Sequence, residues 1–100
     1  MGELAVRVAY FGVIRGAAAT GEETLRLPAG ATVRQLIAAL VQRHGEAFGE
    51  SLFWQDGEPL PFVTVLLDGR DIFHLRGLET PLPSTAEAQI VLMPAAMGGG

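Results

Sequence analysis

The sequence predicts an α+β domain in which one sheet of about five strands is covered by a single helix. Short apolar segments with period-two alternation occur in both halves of the chain, and glycine or proline residues separate them. One segment of the first half has strong helical periodicity instead. A single helix with strands on both sides of it in the sequence is typical of a sheet that is covered on one face.

The composition is that of one globular domain. The chain has 100 residues, of which 49% are hydrophobic and 18% are charged. Its net charge is −4 and its seven basic residues are scattered, so a nucleic-acid-binding surface is not expected. No apolar run approaches the roughly 20 residues that cross a bilayer, and the start of the chain lacks the pattern of a signal peptide. We therefore expect a cytoplasmic protein with neither membrane nor nucleic acid as a partner.

Two residue types that often carry chemistry are missing from the sequence. Without cysteine the chain cannot form disulfides, thiolate metal sites or a cysteine nucleophile. Without lysine it cannot be joined to copies of itself through side-chain amines. The two histidines, His44 and His74, have no carboxylate or cysteine at ligand spacing in the sequence. We therefore expect surface or capping roles for both and no metal site.

The first half of the chain begins with two predicted strands, at 4–11 and 22–27, joined by a glycine-containing loop at 12–21. The second strand is expected to bury Leu25 and Leu27. One face of the first strand carries four larger apolar or aromatic residues: Leu4, Val6, Val8 and Tyr10. Two alternating segments with such a loop between them predict a hairpin.

The strongest local signal predicts a helix at 33–44. Thr32 is a good N-cap, and Gln35 three residues later completes a capping box. Gly45 lies where a C-terminal cap is expected. The apolar residues recur at the spacing of one helix face: Val33, Leu36, Ile37, Leu40 and Val41.

Residues 46–61 have a weaker pattern and are predicted to be an irregular connection. Glycine and proline punctuate this stretch, and its apolar cluster lies at residues 52–54. An irregular connection of this length is unusual unless its own side chains hold it in place. We expect Phe53 or Trp54 to pack over the edge of the core; a role in partner binding is the alternative.

The second half is predicted to be mostly β. A strand at 62–67 leads into Asp68-Gly69, which favours a type I′ turn, and a short strand at 70–73 follows. Residues 77–83 form a predicted turn segment without regular structure.

The last predicted strand, at 88–93, buries Ile90 and Leu92 and leads directly into residues 94–100, which end in three glycines. Glycine has no Cβ, so an extended glycine end can pass through a channel too narrow for side chains. This ending predicts that the terminal carboxylate is a reactive group activated by a partner enzyme. A frayed chain end or a remnant of cloning is the alternative.

Four motifs give the chain a resemblance to the MoaD/ThiS family of ubiquitin-like sulfur carriers. The resemblance covers essentially the whole chain, and the stretch before residue 62 is similar to the subgroup found in archaea and some bacteria. It implies a β-grasp fold with a mixed sheet at 1–93 and a flexible tail at 94–100. The motifs are Tyr10-Phe11-Gly12 with Arg15, Asp68-Gly69-Arg70-Asp71-Ile72, Gly77-Leu78-Glu79-Thr80-Pro81-Leu82, and Leu92-Met93-Pro94 before the glycine end.

The resemblance implies a carrier rather than an enzyme. An E1-like adenylating enzyme of the MoeB/ThiF type would use ATP to adenylate the carboxylate of Gly100, or of Gly99 if the end is trimmed, and a sulfur donor would convert it to a thiocarboxylate. Gly98 and Gly99 would thread into the partner, and the carrier itself would bind no cofactor. Docking would involve Phe11, Met93 and Met97; for Phe11, a place in the core is an equal alternative.

The acceptor implied first is molybdopterin, the organic part of the molybdenum cofactor. The chain would then serve as the small subunit of molybdopterin synthase, with the large subunit as its partner. Sulfur-accepting enzymes of thiamine synthesis, tRNA thiolation or cysteine synthesis are alternatives. A ubiquitin-like modifier of other proteins and a passive β-grasp interaction module are two further alternatives.

Overall fold

A computed structural model describes residues 2–11, 21–61 and 63–83 in full, together with the backbone of 88–94. Two single turns of 3-10 helix lie at Ile72–His74 and Gly77–Glu79. The longer elements, in chain order, are β1 (Glu3–Tyr10), β2 (Glu22–Pro28), α1 (Val33–His44), α2 (Glu46–Leu52), β3 (Val63–Leu67), β4 (Arg70–Asp71) and β5 (Ala88–Pro94).

The strands form one mixed sheet with the order β2-β1-β5-β3-β4. β1 is antiparallel to β2, whereas β5 is parallel to β1 and antiparallel to β3. The last strand of the chain therefore lies in the middle of the sheet. This arrangement confirms the predicted α+β architecture with a mixed sheet.

The first hairpin is confirmed. β1 and β2 pair from Glu3 opposite Pro28 to Ala9 opposite Glu22. The period-two pattern is also confirmed, because the four larger residues predicted to share one face of β1 are all buried, as are Leu25 and Leu27 on β2. Other predictions fall outside the described part of the chain: the loop at 12–20, Phe62, and the side chains of Ile90 and Leu92.

Helix α1 begins and ends as predicted. The side-chain oxygen of Gln35 accepts a hydrogen bond from the N–H of Thr32 at 2.8 Å. The chain leaves the helix at Gly45, whose φ of 100° favours glycine. Its predicted apolar face is buried except at Val41, which is only partly covered.

The predicted single covering helix is wrong, because residues 46–52 of the expected irregular connection form α2. Phe48 and Leu52, one turn apart on this helix, are both buried. Gly49 had indicated a break, but it allows close packing instead: a Cβ built there would lie 2.9 Å from Cγ1 of Val41 on α1. Beyond the helix, the predicted core-edge packing is made by Phe53, whereas Trp54 is exposed.

The turn between β3 and β4 is confirmed. Asp68 and Gly69 both have positive φ, 51° and 84°, as a type I′ turn requires. The strand that follows ends two residues earlier than predicted, because Asp71 accepts a hydrogen bond from the N–H of Phe73 at 2.9 Å and caps a 3-10 turn. β4 is therefore only Arg70–Asp71.

Two further boundaries differ from the prediction. The 77–83 segment contains a single 3-10 turn, held by the buried Thr80, whose hydroxyl donates to the carbonyl of Gly77 at 2.8 Å. β5 extends one residue further than expected and ends at Pro94.

The contact between the helices predicts how Gly49→Ala acts. Alanine stabilises a helix by about 1 kcal/mol relative to glycine. At this position, however, its Cβ would overlap the stiff Val41 side chain, and overpacking destabilises a protein by about 1–3 kcal/mol. We expect urea denaturation to show a net destabilisation of about 1 kcal/mol.

The Val41→Ala background is the matched control, because it removes the methyl groups that Gly49→Ala would meet. In that background the same substitution is expected to be neutral or stabilising. An equal effect of Gly49→Ala in both backgrounds would contradict this account of the helix packing.

Candidate functional site

The last described residue of the chain lies at one end of the central strand. β5 pairs with β1 as far as Leu92 opposite Tyr10, and with β3 as far as Pro94 opposite Val63. The chain therefore leaves the sheet between two strands that hold it on both sides. We call this end of the sheet, made by Tyr10, Phe11, Val63 and residues 92–94, the arm root, and residues 95–100 the arm.

Phe11 lies at the arm root and is 46% exposed. Tyr10 of β1 and Leu92 of β5 are partners in the parallel ladder. Phe11 is the residue after Tyr10, and Met93 is the residue after Leu92. The backbone thus brings two of the predicted docking residues to the same end of neighbouring strands. The remaining predicted site features lie outside the described residues: the side chain of Met93, Met97, Gly98, Gly99 and Gly100.

A cluster of polar side chains lies beneath β1 at this end of the sheet. Glu23 is its centre, with only 10% of its side chain exposed. The Tyr10 hydroxyl donates to Oε2 of Glu23, and Nε2 of His44 lies 2.5 Å from the same oxygen. Nε of Arg43 lies 3.0 Å from Oε1. This Glu23 cluster ties the end of α1 to β1 and β2.

The aromatic rings of the cluster limit its contact with water. The rings of His44 and Phe48 are tilted, with centroids 4.7 Å apart, and Tyr10 meets each of them edge-on at 6.2 Å. Phe48 belongs to α2, so both helices contribute to the cluster. The polar groups thus lie between the strands and the helices, and their contacts with one another connect these elements.

The ionisation of the cluster follows from these contacts. Burial alone would raise the pKa of Glu23, but hydrogen bonds from Tyr10 and His44, with the positive charges of His44 and Arg43, lower that pKa below its ordinary value. Burial of the phenol, then its hydrogen bond to the Glu23 carboxylate and the charge of that group, raise the pKa of Tyr10 far above its ordinary value. The phenol therefore stays a donor and the carboxylate an acceptor.

The prediction that His44 lies at the surface is wrong, whereas its predicted place in the last turn of α1 is confirmed. Only 13% of its side chain is exposed, and it has the carboxylate neighbour that its sequence environment lacks. The sequence did contain a signal: Glu23 has the same strand phase as the buried Leu25, and His44 lies one helical turn after the buried Leu40. Each of these two apolar faces therefore carries one polar residue. When the faces pack together, the two polar residues can contact each other.

Two other findings concern absences within the described part of the chain. No group of three or more His, Asp or Glu residues there is placed to hold a metal ion. None of the helices between residues 33 and 52 has the length and apolar character needed to span a membrane.

His74 is exposed, and its ring lies edge-on to Phe73 with centroids 5.7 Å apart.

Comparisons with known proteins agree with this architecture. Residues 8–99 match the model of the ThiS family. A protein of Archaeoglobus fulgidus named "Putative sulfur carrier protein" is 41% identical over 68 residues, which cover 68% of this chain and 74% of that protein.

Solved structures give the same result for the fold. The small archaeal modifier protein 1 of Methanosarcina acetivorans has a TM-score of 0.79 and 27% identity, covering 99% of this chain and 100% of that one. A Pyrococcus furiosus protein named "Putative molybdopterin converting factor, subunit 1" has a TM-score of 0.74 and 29% identity, covering 93% and 99%. The predicted ubiquitin-like β-grasp fold is confirmed.

The Glu23 cluster predicts a specific response to acid. Because the folded protein lowers the pKa of Glu23, this group contributes stability above the unfolded value of about 4.5, and that contribution is lost as the pH falls through the folded value. Glu23→Gln should therefore destabilise the protein by about 1–3 kcal/mol near neutral pH. The difference from wild type should shrink below pH 4.5 in urea denaturation.

Glu22→Gln is the matched control for this experiment. Glu22 is the neighbouring residue, and its side chain forms an exposed pair with Arg7 at 3.5 Å, which is worth little. The control should stay close to wild type. A destabilisation by Glu23→Gln that is the same at neutral and acidic pH would show that the carboxylate charge does not stabilise the cluster.

Proposed function

The chain belongs to the ThiS family, and on that premise we propose that its C-terminal glycine is the group that carries sulfur. Members of this family are small sulfur carriers rather than catalysts. The observation that supports the proposal most is the position of β5, which ends at Pro94 in the middle of the sheet with the glycine-ended arm still to follow. The arm thus starts from a fixed point on a stable body.

The proposed chemistry has two steps. In the first, an oxygen of the terminal carboxylate attacks the α-phosphorus of ATP, which forms an acyl-adenylate and releases pyrophosphate. In the second, hydrosulfide or an equivalent sulfur donor attacks the acyl carbon; the C–S bond forms, AMP leaves and a proton is released. The terminal carboxylate has then become a thiocarboxylate, with no change in the oxidation state of carbon.

The features of the chain suit a carrier in this chemistry. The arm has six residues, which span at most roughly 20 Å when extended. That length is enough to reach into the active site of an E1-like adenylating enzyme while the body stays outside. Phe11, exposed at the arm root, supplies an apolar contact for the body of such a partner. Gly98 and Gly99 leave the arm without side chains where it would pass through a channel.

The acceptor that we propose is the molybdopterin precursor, and the partner is the large subunit of molybdopterin synthase. Support comes from the Pyrococcus furiosus protein, whose name assigns it to molybdopterin conversion and which is 29% identical over 93% of this chain. Because adenylation consumes ATP, we place the reaction in the cytoplasm.

The proposed acceptor is tested by adding the thiocarboxylate form of the carrier to the large subunit and the precursor. The loss of sulfur from the carrier is then measured.

A second candidate is a ubiquitin-like modifier whose activated end is joined to lysines of other proteins. The small archaeal modifier protein of Methanosarcina acetivorans supports it, with 27% identity over 99% of this chain. The same adenylated end serves both reactions. A ladder of conjugates in a cell lysate that disappears when residues 98–100 are deleted would favour the modifier, and it would contain no side-chain linkage of this lysine-free chain to itself.

Gly99→Val tests whether the arm threads into a narrow channel of the activating enzyme. A β-branched side chain at this position should block entry of the arm into the activating enzyme, because only glycine leaves the arm thin enough. Incubation with the activating enzyme, ATP and sulfide should replace one oxygen of the wild-type protein by sulfur, as seen by intact-mass spectrometry. The variant should keep its original mass and the thermal stability of wild type.

Gly2→Val provides the matched control. Gly2 is exposed, and nothing lies within 4 Å of a Cβ built there, so this variant should be activated normally. Loss of thermal stability in Gly99→Val to the same extent as loss of activation would mean that the arm is part of the fold. Normal activation of the variant would exclude threading through a narrow channel.

A further inference from the structure

An open groove lies on the helical side of the domain, between α1, α2 and residues 53–57. Its volume is about 610 Å³, and none of its lining residues belongs to a strand of the sheet. Ala38 and the partly buried Val41 provide apolar surface in it, above the buried Ile37 and Phe53. Trp54 stands at its side with 58% of its surface exposed. This helix groove is separate from the arm root and has no role in the proposed sulfur transfer.

The charges lining the helix groove are mainly negative. Glu46 and Glu50 lie one turn apart on α2, and Asp56 lies in the following loop. The groove also contains Arg34, but its guanidinium donates to the Glu79 carboxylate at 2.6 and 2.9 Å. Its remaining contact is the carbonyl of Asp56 at 3.0 Å. The charge of Arg34 is therefore already neutralised by Glu79, a residue outside the groove.

The two carboxylates on α2 have no such compensation. Within residues 2–11, 21–61 and 63–83, no arginine or histidine pairs with Glu46 or Glu50. An exposed indole beside unpaired carboxylates is a favourable place for a cation, because its ring face attracts the charge and the carboxylates can pair with it. Tryptophan is also among the residues that most often dominate binding energy at protein interfaces.

We propose that the helix groove binds a basic amphipathic segment of a partner protein. An apolar side chain of that segment packs on Ala38 and Val41. An arginine or lysine lies over the Trp54 ring and pairs with a carboxylate of α2. Because the groove and the arm root are on different elements, a partner bound here leaves Phe11 uncovered for the enzyme that receives the arm. The inference goes beyond sulfur transfer and does not depend on it.

The chain itself offers one competing occupant. Phe73 is 83% exposed, and Arg70 and Arg76 lie three residues to either side of it. A second copy could therefore place this aromatic and basic surface in the helix groove. A single contact of this kind is head-to-tail, and head-to-tail contacts that do not close add copies into open chains. We favour a separate partner, and the test includes the second copy as a distinct outcome.

The experiment uses the single tryptophan of the chain as its reporter. The probe is a synthetic helical peptide with one leucine face and one arginine face, titrated into the full-length protein. Saturable change in Trp54 fluorescence is expected, with affinity that falls as salt is raised. A second peptide, in which every arginine is replaced by glutamate, should not bind. Equal binding of both peptides would overturn the proposed charge complementarity.

Variants assign the binding to the groove. Glu46→Gln/Glu50→Gln removes the two charges that would pair with arginines of the peptide and should weaken binding about fivefold. The control Glu3→Gln/Glu22→Gln changes the net charge equally, but these residues lie on the strands and pair with Arg26 and Arg7. It should bind as wild type does. Equal weakening by both double variants would show a non-specific charge effect and overturn the proposal.

Sedimentation decides between a separate partner and a second copy. The protein alone should sediment as a monomer over the concentrations used. Concentration-dependent association that Phe73→Ser abolishes would assign the groove to a second copy and overturn the proposal of a separate partner. Absence of binding by the arginine peptide at low salt, with wild-type folding confirmed by circular dichroism, would also overturn it.

Discussion

β5 is hydrogen-bonded to strands on both of its sides, and this pairing joins the two halves of the sheet. This last strand forms a parallel ladder with β1 and an antiparallel ladder with β3. The sheet is therefore complete only when the C-terminal segment has been placed between strands far from it in the sequence. The same geometry makes the end of the folded body the starting point of the arm. Stability of the core and position of the proposed reactive end thus come from one set of backbone hydrogen bonds.

The described side chains divide into those that hold the body and those that present a surface. The Glu23 cluster connects β1, β2 and both helices beneath the end of the sheet, where its groups bond to one another. Phe11 points to solvent at that same end, and Trp54 does so on the helical side. The body thus presents apolar surface at two separate places. In the proposed function, the chemistry belongs to the chain end.

Local signals predicted the elements whose structure is set locally. The alternation in β1, the capping box of α1 and the Asp68-Gly69 turn each depend on neighbouring residues, and all three were confirmed. Helix α2 was missed because Gly49 is typical of a break in a helix. The close approach of Val41 that leaves no room for a Cβ there comes from tertiary packing, which the sequence pattern does not show. The Glu23–His44 contact was missed for a related reason, since its two halves lie on elements whose relative position comes from tertiary packing. The role of the arm came from family resemblance and not from geometry.

The absence of cysteine gives the most direct measurement of the central claim, that the reactive group is the carboxylate at the end of the arm. A thiol-selective alkylating reagent has no side-chain thiol to modify in this chain. After incubation with the activating enzyme, ATP and sulfide, we expect one label per molecule, located by fragmentation at the C-terminal glycine and absent without ATP. No label in the presence of a demonstrably active enzyme, or a label on any other residue, would contradict it.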